Sequence, residues 1–323
     1  MTDRPRLAEE TIAPDAMALV DEFIAFLKTT SAKRHPSGVI PRFNQGRAAG
    51  CVDAEFTVPA DLAPDLRVGL FAEPGVYRAR IRFANAVSQS DTERDVRGMS
   101  IEVADVRGEN LTAGESHQDF ILNSHPVMMV GHTRQFLDLL KAVDAGGAKA
   151  ALFFVAHPHA VAVALASRRH ATSHLEIPYW STTPYLFGAG RAVKYIARPS
   201  STRTTPLPDP LTDNYLQERL RTHLAREDAT FDFFVQCQTD SRRMPIEDAS
   251  VEWRERDSPY RHVARIRIPV QEVGGPSRTA ACEQMAFNPW HARVEHRPLG
   301  DFNRARREIY SAMAAFRRER AQI

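Results

Sequence analysis

The sequence predicts an α+β fold built on one antiparallel β core. Three observations carry that prediction. Strand-like runs rich in β-branched and aromatic residues recur on both sides of a helical middle section. Amphipathic helical segments stand at the start and the end of the chain. No repeat or low-complexity linker divides the 323 residues, and the best candidate break, Pro206–Pro210, has strand patterns on both sides of it. Alternation alone does not say whether the sheet closes into a barrel.

Residues 12–31 place Met17, Val20, Phe23, Ile24 and Leu27 at helical spacing, and a polar stretch with proline and glycine follows. Four strand runs come next: CVDAEFTV from Cys51, VYRARIRFA from Val76, GMSIEVADV from Gly98 and DFILNSHPVMMV from Asp119. Residues 132–145 and 147–167 read as helices. Strands resume at GRAVKYIARP from Gly190, a polar helix is expected over about 212–227, and further strands at ATFDFFVQCQT and RHVARIRIPV. A basic helix from about Asp301 to Arg320 ends the pattern.

Forty-two basic against 40 acidic residues leave a net charge of +2, too balanced to argue for a nucleic-acid partner or an anionic membrane. The longest apolar stretch, Ala150–Ser167, is broken by His157, Pro158 and His159 and reads as a buried helix, so no membrane span is expected. The opening residues lack the apolar core of a signal peptide, and three scattered cysteines (Cys51, Cys237, Cys282) suit a reducing compartment; a cytoplasmic location is the expectation.

Three separated blocks resemble the catalase superfamily, in the family's order. RIRFANAVSQSDTERDVRGMSIEV contains the arginine–phenylalanine pair (Arg82, Phe83) and the D-T-x-R-D-x-R-G run (Asp91–Gly98), and continues through NSHPVMMV. EQMAFNPW, Glu283–Trp290, is similar to the family's E-Q-x-A-F-x-P. RREIYSAMAAFRR, Arg306–Arg318, resembles the proximal helix, with an arginine four residues before a tyrosine and another seven after it. The resemblance implies one haem domain over 1–323: an N-terminal helix and arm (1–40), an antiparallel β-barrel enclosing haem with inserted helices (41–300), and a haem-ligand helix (301–323). It points to the small catalase-related haem proteins, including catalase-like peroxidases and allene oxide synthase relatives. The short arm leaves room for a homodimer in place of an interlocked tetramer.

By this resemblance Tyr310 is the ligand to the iron of haem b. Arg306 shares its helix face and favours the phenolate, an anionic ligand that supports high oxidation states of iron. Arg82, Arg317 and Arg42 correspond to residues that meet the haem propionates, where forked guanidiniums suit buried carboxylates. Asn123 matches the distal asparagine that holds peroxide, and Phe136 the aromatic residue covering the porphyrin.

The distal histidine is where the chain departs from the family. The family segment reads like R-x-x-H-x-K-G; here Arg42–Ala48 reads RFNQGRA, which puts Gln45 at the histidine position. The serine that often supports that histidine falls at Ala84. An alternative alignment takes His35, in HPSG, at the cost of an insertion of about ten residues. His125 and His132 flank the distal segment, and His157 and His159 fall on different helix faces, poorly placed for joint ligation. An imidazole can shuttle a proton between peroxide oxygens; an amide can only hydrogen-bond. The expectation is therefore a haem oxidoreductase acting on small peroxides or lipid hydroperoxides, peroxidase-like, with weak or no hydrogen peroxide dismutation. Fatty-acid hydroperoxide rearrangement and non-catalytic haem sensing are the alternatives.

Overall fold

The computed structural model describes residues 6–321. Nine strands form one antiparallel sheet: β1 (Arg47–Val58), β2 (Gly75–Asn85), β3 (Arg97–Val103), β4 (Gln118–Asn123), β5 (Tyr179–Trp180), β6 (Tyr185–Leu186), β7 (Ala192–Pro199), β8 (Ala229–Cys237) and β9 (Arg261–Ile268). Their order is β5-β4-β3-β2-β1-β9-β8-β7-β6, and β5 also pairs with β7. That last pairing closes an eight-stranded barrel, with β6 left as a spur. Closure removes the two edges that an open sheet would expose. Asn123 sits at the seam, paired with Trp180.

Alternation explains the barrel interior. In β1, Val52, Ala54, Phe56 and Val58 are buried while Asp53 faces solvent. Phe56, Phe120, Phe233 and Tyr195 meet inside, with ring centroids 4.9–6.0 Å apart in the pairs Phe56–Phe120, Phe56–Phe233, Phe120–Tyr195, Phe120–Phe233 and Tyr195–Phe233. The barrel is thus filled by its own side chains. Outward positions on β1–β4, among them Cys51, Arg82, Gly98 and Asn123, are left to build a site on its flank.

Among the described residues seven helices surround the barrel: α1 (Ala16–Arg34), α2 (Thr133–Asp144), α3 (Gly147–Ala156), α4 (Pro158–Ser167), α5 (Tyr215–Leu224), α6 (Pro276–Gln284) and α7 (Asp301–Ala321). α1, α2 and α7 share an apolar cluster of Leu19, Phe23, Leu27, Leu137, Ala305, Ile309 and Met313.

Four sequence expectations need correction. Residues 147–167 are two helices bent by 106° at His157, because the residue before a proline is disfavoured in helical conformation. They are also not wholly buried: Ala160 and Val163 of α4 are, but Leu152, Val155 and Leu165 are 70%, 80% and 76% exposed. Among the described residues no single helix is long and apolar enough to cross a membrane. The strand begun at Asp119 stops at Asn123, and α6 lies where no helix was expected. Finally, Cys51 and Cys282 form a disulfide across 231 residues of sequence. With two of the three cysteines paired, the cysteine count no longer argues for a reducing compartment.

Two fully buried histidines make stability depend on pH. His174 packs at a tilt against Phe83 and hydrogen-bonds Tyr179; His296 accepts the Leu70 amide at 3.0 Å. Burial lowers their pKa values to about 3 and about 4. Both stay neutral in the folded chain but take up protons near pH ~6.5 once unfolded. Their contribution is complete above pH ~6.5 and is lost as pH falls from there towards the folded values, at on the order of 1 kcal/mol per pH unit for each. Melting temperature should therefore drop steadily between pH ~6.5 and ~4, and His296→Gln should flatten that slope.

Candidate active site

Gln45 and Asn123 come together by backbone geometry. The chain enters β1 through Gln45, a non-glycine residue at φ +56°, whose amide donates to the Ala86 carbonyl at 2.7 Å. A left-handed conformation at such a residue costs energy and is held by its surroundings. The turn directs the side chain to Asn123, with Gln45 Nε2 donating to Asn123 Oδ1 at 3.2 Å. Gly98 makes room for it: a Cβ there would lie 2.4 Å from Gln45 Cδ. Gly98 pairs with Asn123 on one side and Ala84 on the other. Gln45, Asn123, Gly98 and Ala84 thus form one patch without an imidazole or a hydroxyl.

His35 lies elsewhere. It caps the C-terminus of α1, and its carbonyl accepts from Arg320 on α7 at 3.1 Å.

The D-T-x-R-D-x-R-G run braces this patch from behind. Asp91 accepts from Asn85 at 2.8 Å, Arg47 at 3.0 Å and the Leu216 amide at 2.9 Å; Asp95 holds the amides of Val87 and Ser88. Arg97 is fully buried and donates to Asn85 and to the Glu93 carbonyl.

A cationic cluster lies further along the flank. Arg82, at 1% exposure, donates from Nε and Nη2 to Glu283 Oε1 at 3.3 and 3.1 Å. Arg42 pairs with the other carboxylate oxygen and donates to the Met285 carbonyl at 2.7 Å. Burial brings the pKa values of Arg82 and Arg317 down to about 10; neighbouring arginines push the same way, and both remain charged at neutral pH. Among the described residues Arg317 has no carboxylate within ion-pair distance. Three guanidiniums face one carboxylate, so two positive charges are uncompensated. A dianionic ligand, such as the two propionates of haem, matches that surplus. The disulfide fixes this arrangement, since Cys51 lies opposite Arg82 in the ladder and Cys282 precedes Glu283.

On α7, Tyr310 is half-buried and packs against the α1–α2–α7 apolar cluster, as do Phe136 and Phe43. Phe136 lies 6.1 Å from Phe23 and 5.8 Å from Phe302, centroid to centroid. Arg306 donates to Thr183 Oγ1 at 3.0 Å and Asn303 Oδ1 at 3.1 Å; its hydrogen bonds among the described residues do not go to Tyr310. It stands close enough to the buried Tyr185 to favour that residue's phenolate, although burial prevails and pushes Tyr185 up to about 12.

Three solved catalases share this architecture. A fungal catalase superimposes with a TM-score of 0.71 at 17% identity, covering 98% of this chain and 66% of that one. A bacterial catalase gives 0.70 at 15%, covering 98% and 64%. Catalase A from Saccharomyces cerevisiae gives 0.71 at 17%, covering 98% and 68%. The chain has the catalase fold. It spans about two thirds of the length of these catalases. No family model matches the sequence, and no curated protein does. The sequence reading had named Gln45, Asn123, Arg42, Arg82, Arg317 and Tyr310; the structure brings Gln45 to Asn123 and both Arg42 and Arg82 to Glu283, and it places Arg317 and Tyr310 on α7. The sequence blocks did not single out Glu283 as the partner of two arginines, though it opens the E-Q-x-A-F-x-P block. Gly98, Thr183 and Asn303 were also missed, because their roles depend on contacts between distant segments.

Proposed function

We propose that this chain is a haem-dependent oxidoreductase that acts on organic hydroperoxides in a peroxidase-like reaction and dismutes hydrogen peroxide weakly or not at all. The observation that carries the proposal is the Gln45–Asn123 amide pair, set on Gly98 and Ala84. Arg42, Arg82 and Arg317 would hold the propionates of haem b, and Tyr310 would ligate its iron. The haem, once bound, supplies the redox chemistry of the O–O bond.

The protein's own contribution on the distal side is hydrogen bonding. With its oxygen free to accept while Nε2 donates to Asn123, Gln45 can orient a hydroperoxide O–H, and the Asn123 amide can donate to its oxygen. Neither side chain has a pKa near neutrality, so neither moves a proton from one oxygen to the other. That shuttling is worth typically 10²–10⁴-fold, and rapid dismutation depends on it. An alkyl hydroperoxide with an external reductant does not need it to the same degree.

The test is to supply purified protein with haem and follow oxygen release from hydrogen peroxide beside reductant oxidation and substrate loss with an alkyl and a fatty-acid hydroperoxide. Turnover of the organic substrates with little oxygen is expected. Oxygen release within about tenfold of a true catalase would refute the amide reading. Fatty-acid hydroperoxide loss without reductant consumption would indicate rearrangement instead, and no turnover at all a sensor.

A further inference from the structure

A second cluster of metal-binding side chains lies on the same barrel, away from the proposed peroxide site. His117 and Asp119 flank the start of β4, and His291 comes from the segment joining α6 to α7. One ligand atom from each converges within 4.8 Å of the others. His117 Nε2 is 3.0 Å from His291 Nδ1, His291 Nδ1 is 3.0 Å from Asp119 Oδ2, and His117 Nε2 is 3.7 Å from Asp119 Oδ1. For tetrahedral zinc with ligands at about 2.0–2.1 Å, neighbouring ligand atoms are roughly 3.3 Å apart. The two separations from His291 Nδ1 lie just below that value, and the one from His117 to the other carboxylate oxygen lies just above it. Asp119 and Asn123 are four residues apart on one strand, roughly 13 Å, so this is a separate place.

Hydrogen bonding alone does not satisfy these groups. Asp119 is fully buried; Oδ2 accepts the Asn288 amide at 2.8 Å and faces His291, while Oδ1 is buried with no hydrogen-bond partner among the described residues. His117 Nδ1 lies 3.2 Å from Glu115 Oε2, which makes Nδ1 the protonated nitrogen and leaves the Nε2 lone pair aimed into the cluster. His291 Nδ1 can carry one hydrogen, and it faces two acceptors, His117 Nε2 and Asp119. Glu102 lies directly opposite Asp119 in the ladder and adds negative charge. A carboxylate buried this deeply calls for a cation.

We propose that His117 Nε2, His291 Nδ1 and an Asp119 carboxylate oxygen bind a divalent cation of the zinc(II) class, with Glu115 and the Asn288 amide orienting the ligands. Two imidazoles and one carboxylate favour borderline metals over calcium or magnesium, which prefer all-oxygen shells. Binding takes the Nε2–H tautomer of His291, its one hydrogen leaving Nδ1 for Nε2, and it gives Asp119 Oδ1 the partner it lacks. His117 and His291 are 18% and 14% exposed, which leaves a path for the ion and an open position for water. The ion would clip the start of β4 to the segment between Glu283 and Tyr310, making it a stabilising site.

The experiment uses the full-length, tag-free chain stripped with a chelator. Zinc(II) is titrated against a chromophoric chelator, and cobalt(II) is followed by its visible absorption. One equivalent should bind in the micromolar range or tighter, with a melting temperature raised by several degrees. Glu115→Gln, on a partly exposed side chain, should fold normally and bind about 10–100-fold more weakly. His117→Gln should abolish the cobalt spectrum while its metal-free circular dichroism matches that of the parent. The proposal is overturned if the parent takes up no metal, or if both variants bind as tightly as the parent.

Discussion

Gln45→His should raise oxygen release from hydrogen peroxide by about 10²-fold or more in the haem-loaded protein, the usual contribution of a positioned acid–base group. Residue 45 is where the backbone aims a side chain at Asn123, and histidine is among the residues that tolerate positive φ. Gly98, without a Cβ, leaves space for an imidazole as it does for the amide. The gain should appear in kcat for hydrogen peroxide and should acquire a pH dependence near the histidine range, which the parent lacks. A further change, Ala84→Ser, would offer the imidazole a hydroxyl and should add to the gain. An oxygen electrode reads both. A Gln45→His variant no better than the parent would mean that proton shuttling at this position does not limit the reaction.

Arg82→Met should weaken haem binding by about 2–5 kcal/mol, the range found when one partner of a buried hydrogen-bonded charge pair is removed. Arg82 is the most buried of the three guanidiniums; its loss would leave Glu283 facing a propionate with less positive charge between them. Arg82→Lys should recover only part of the affinity, because an ammonium keeps the charge but loses the forked geometry. Haem transfer to an excess of apomyoglobin gives the dissociation rate, and the loss should appear there. Arg317→Met should act in the same direction and less strongly, since its side chain is only half-buried.

How much of this could be read from the sequence varied with the range of the contacts involved. The barrel strands were legible because alternation such as Val52, Ala54, Phe56, Val58 is a local signal. The closing strand β5 has only two residues, too short for any pattern, so closure was not legible. The 147–167 segment was misread although His157-Pro158 carries a local breaking signal, because apolar character was taken to mean burial. The structure instead leaves Leu152, Val155 and Leu165 exposed. Among site residues, Gln45 and Asn123 are 78 positions apart, and only the matched blocks linked them. Arg42 and Arg82 meet Glu283 across 241 and 201 residues, and Cys51 meets Cys282 across 231. Periodicity carries no information about such pairings. The metal-type cluster joins His117 and Asp119, two positions apart, with a histidine more than 170 residues away, which no spacing rule would connect.

A haemin titration of the 323-residue chain decides whether Tyr310 holds a ferric haem. One equivalent should bind and produce a high-spin ferric Soret band that Tyr310→Phe abolishes or shifts, while Tyr185→Phe, at the buried neighbour, should leave the band in place. Failure of the parent chain to bind haemin stoichiometrically, or an unchanged spectrum in Tyr310→Phe, would contradict haem ligation by Tyr310.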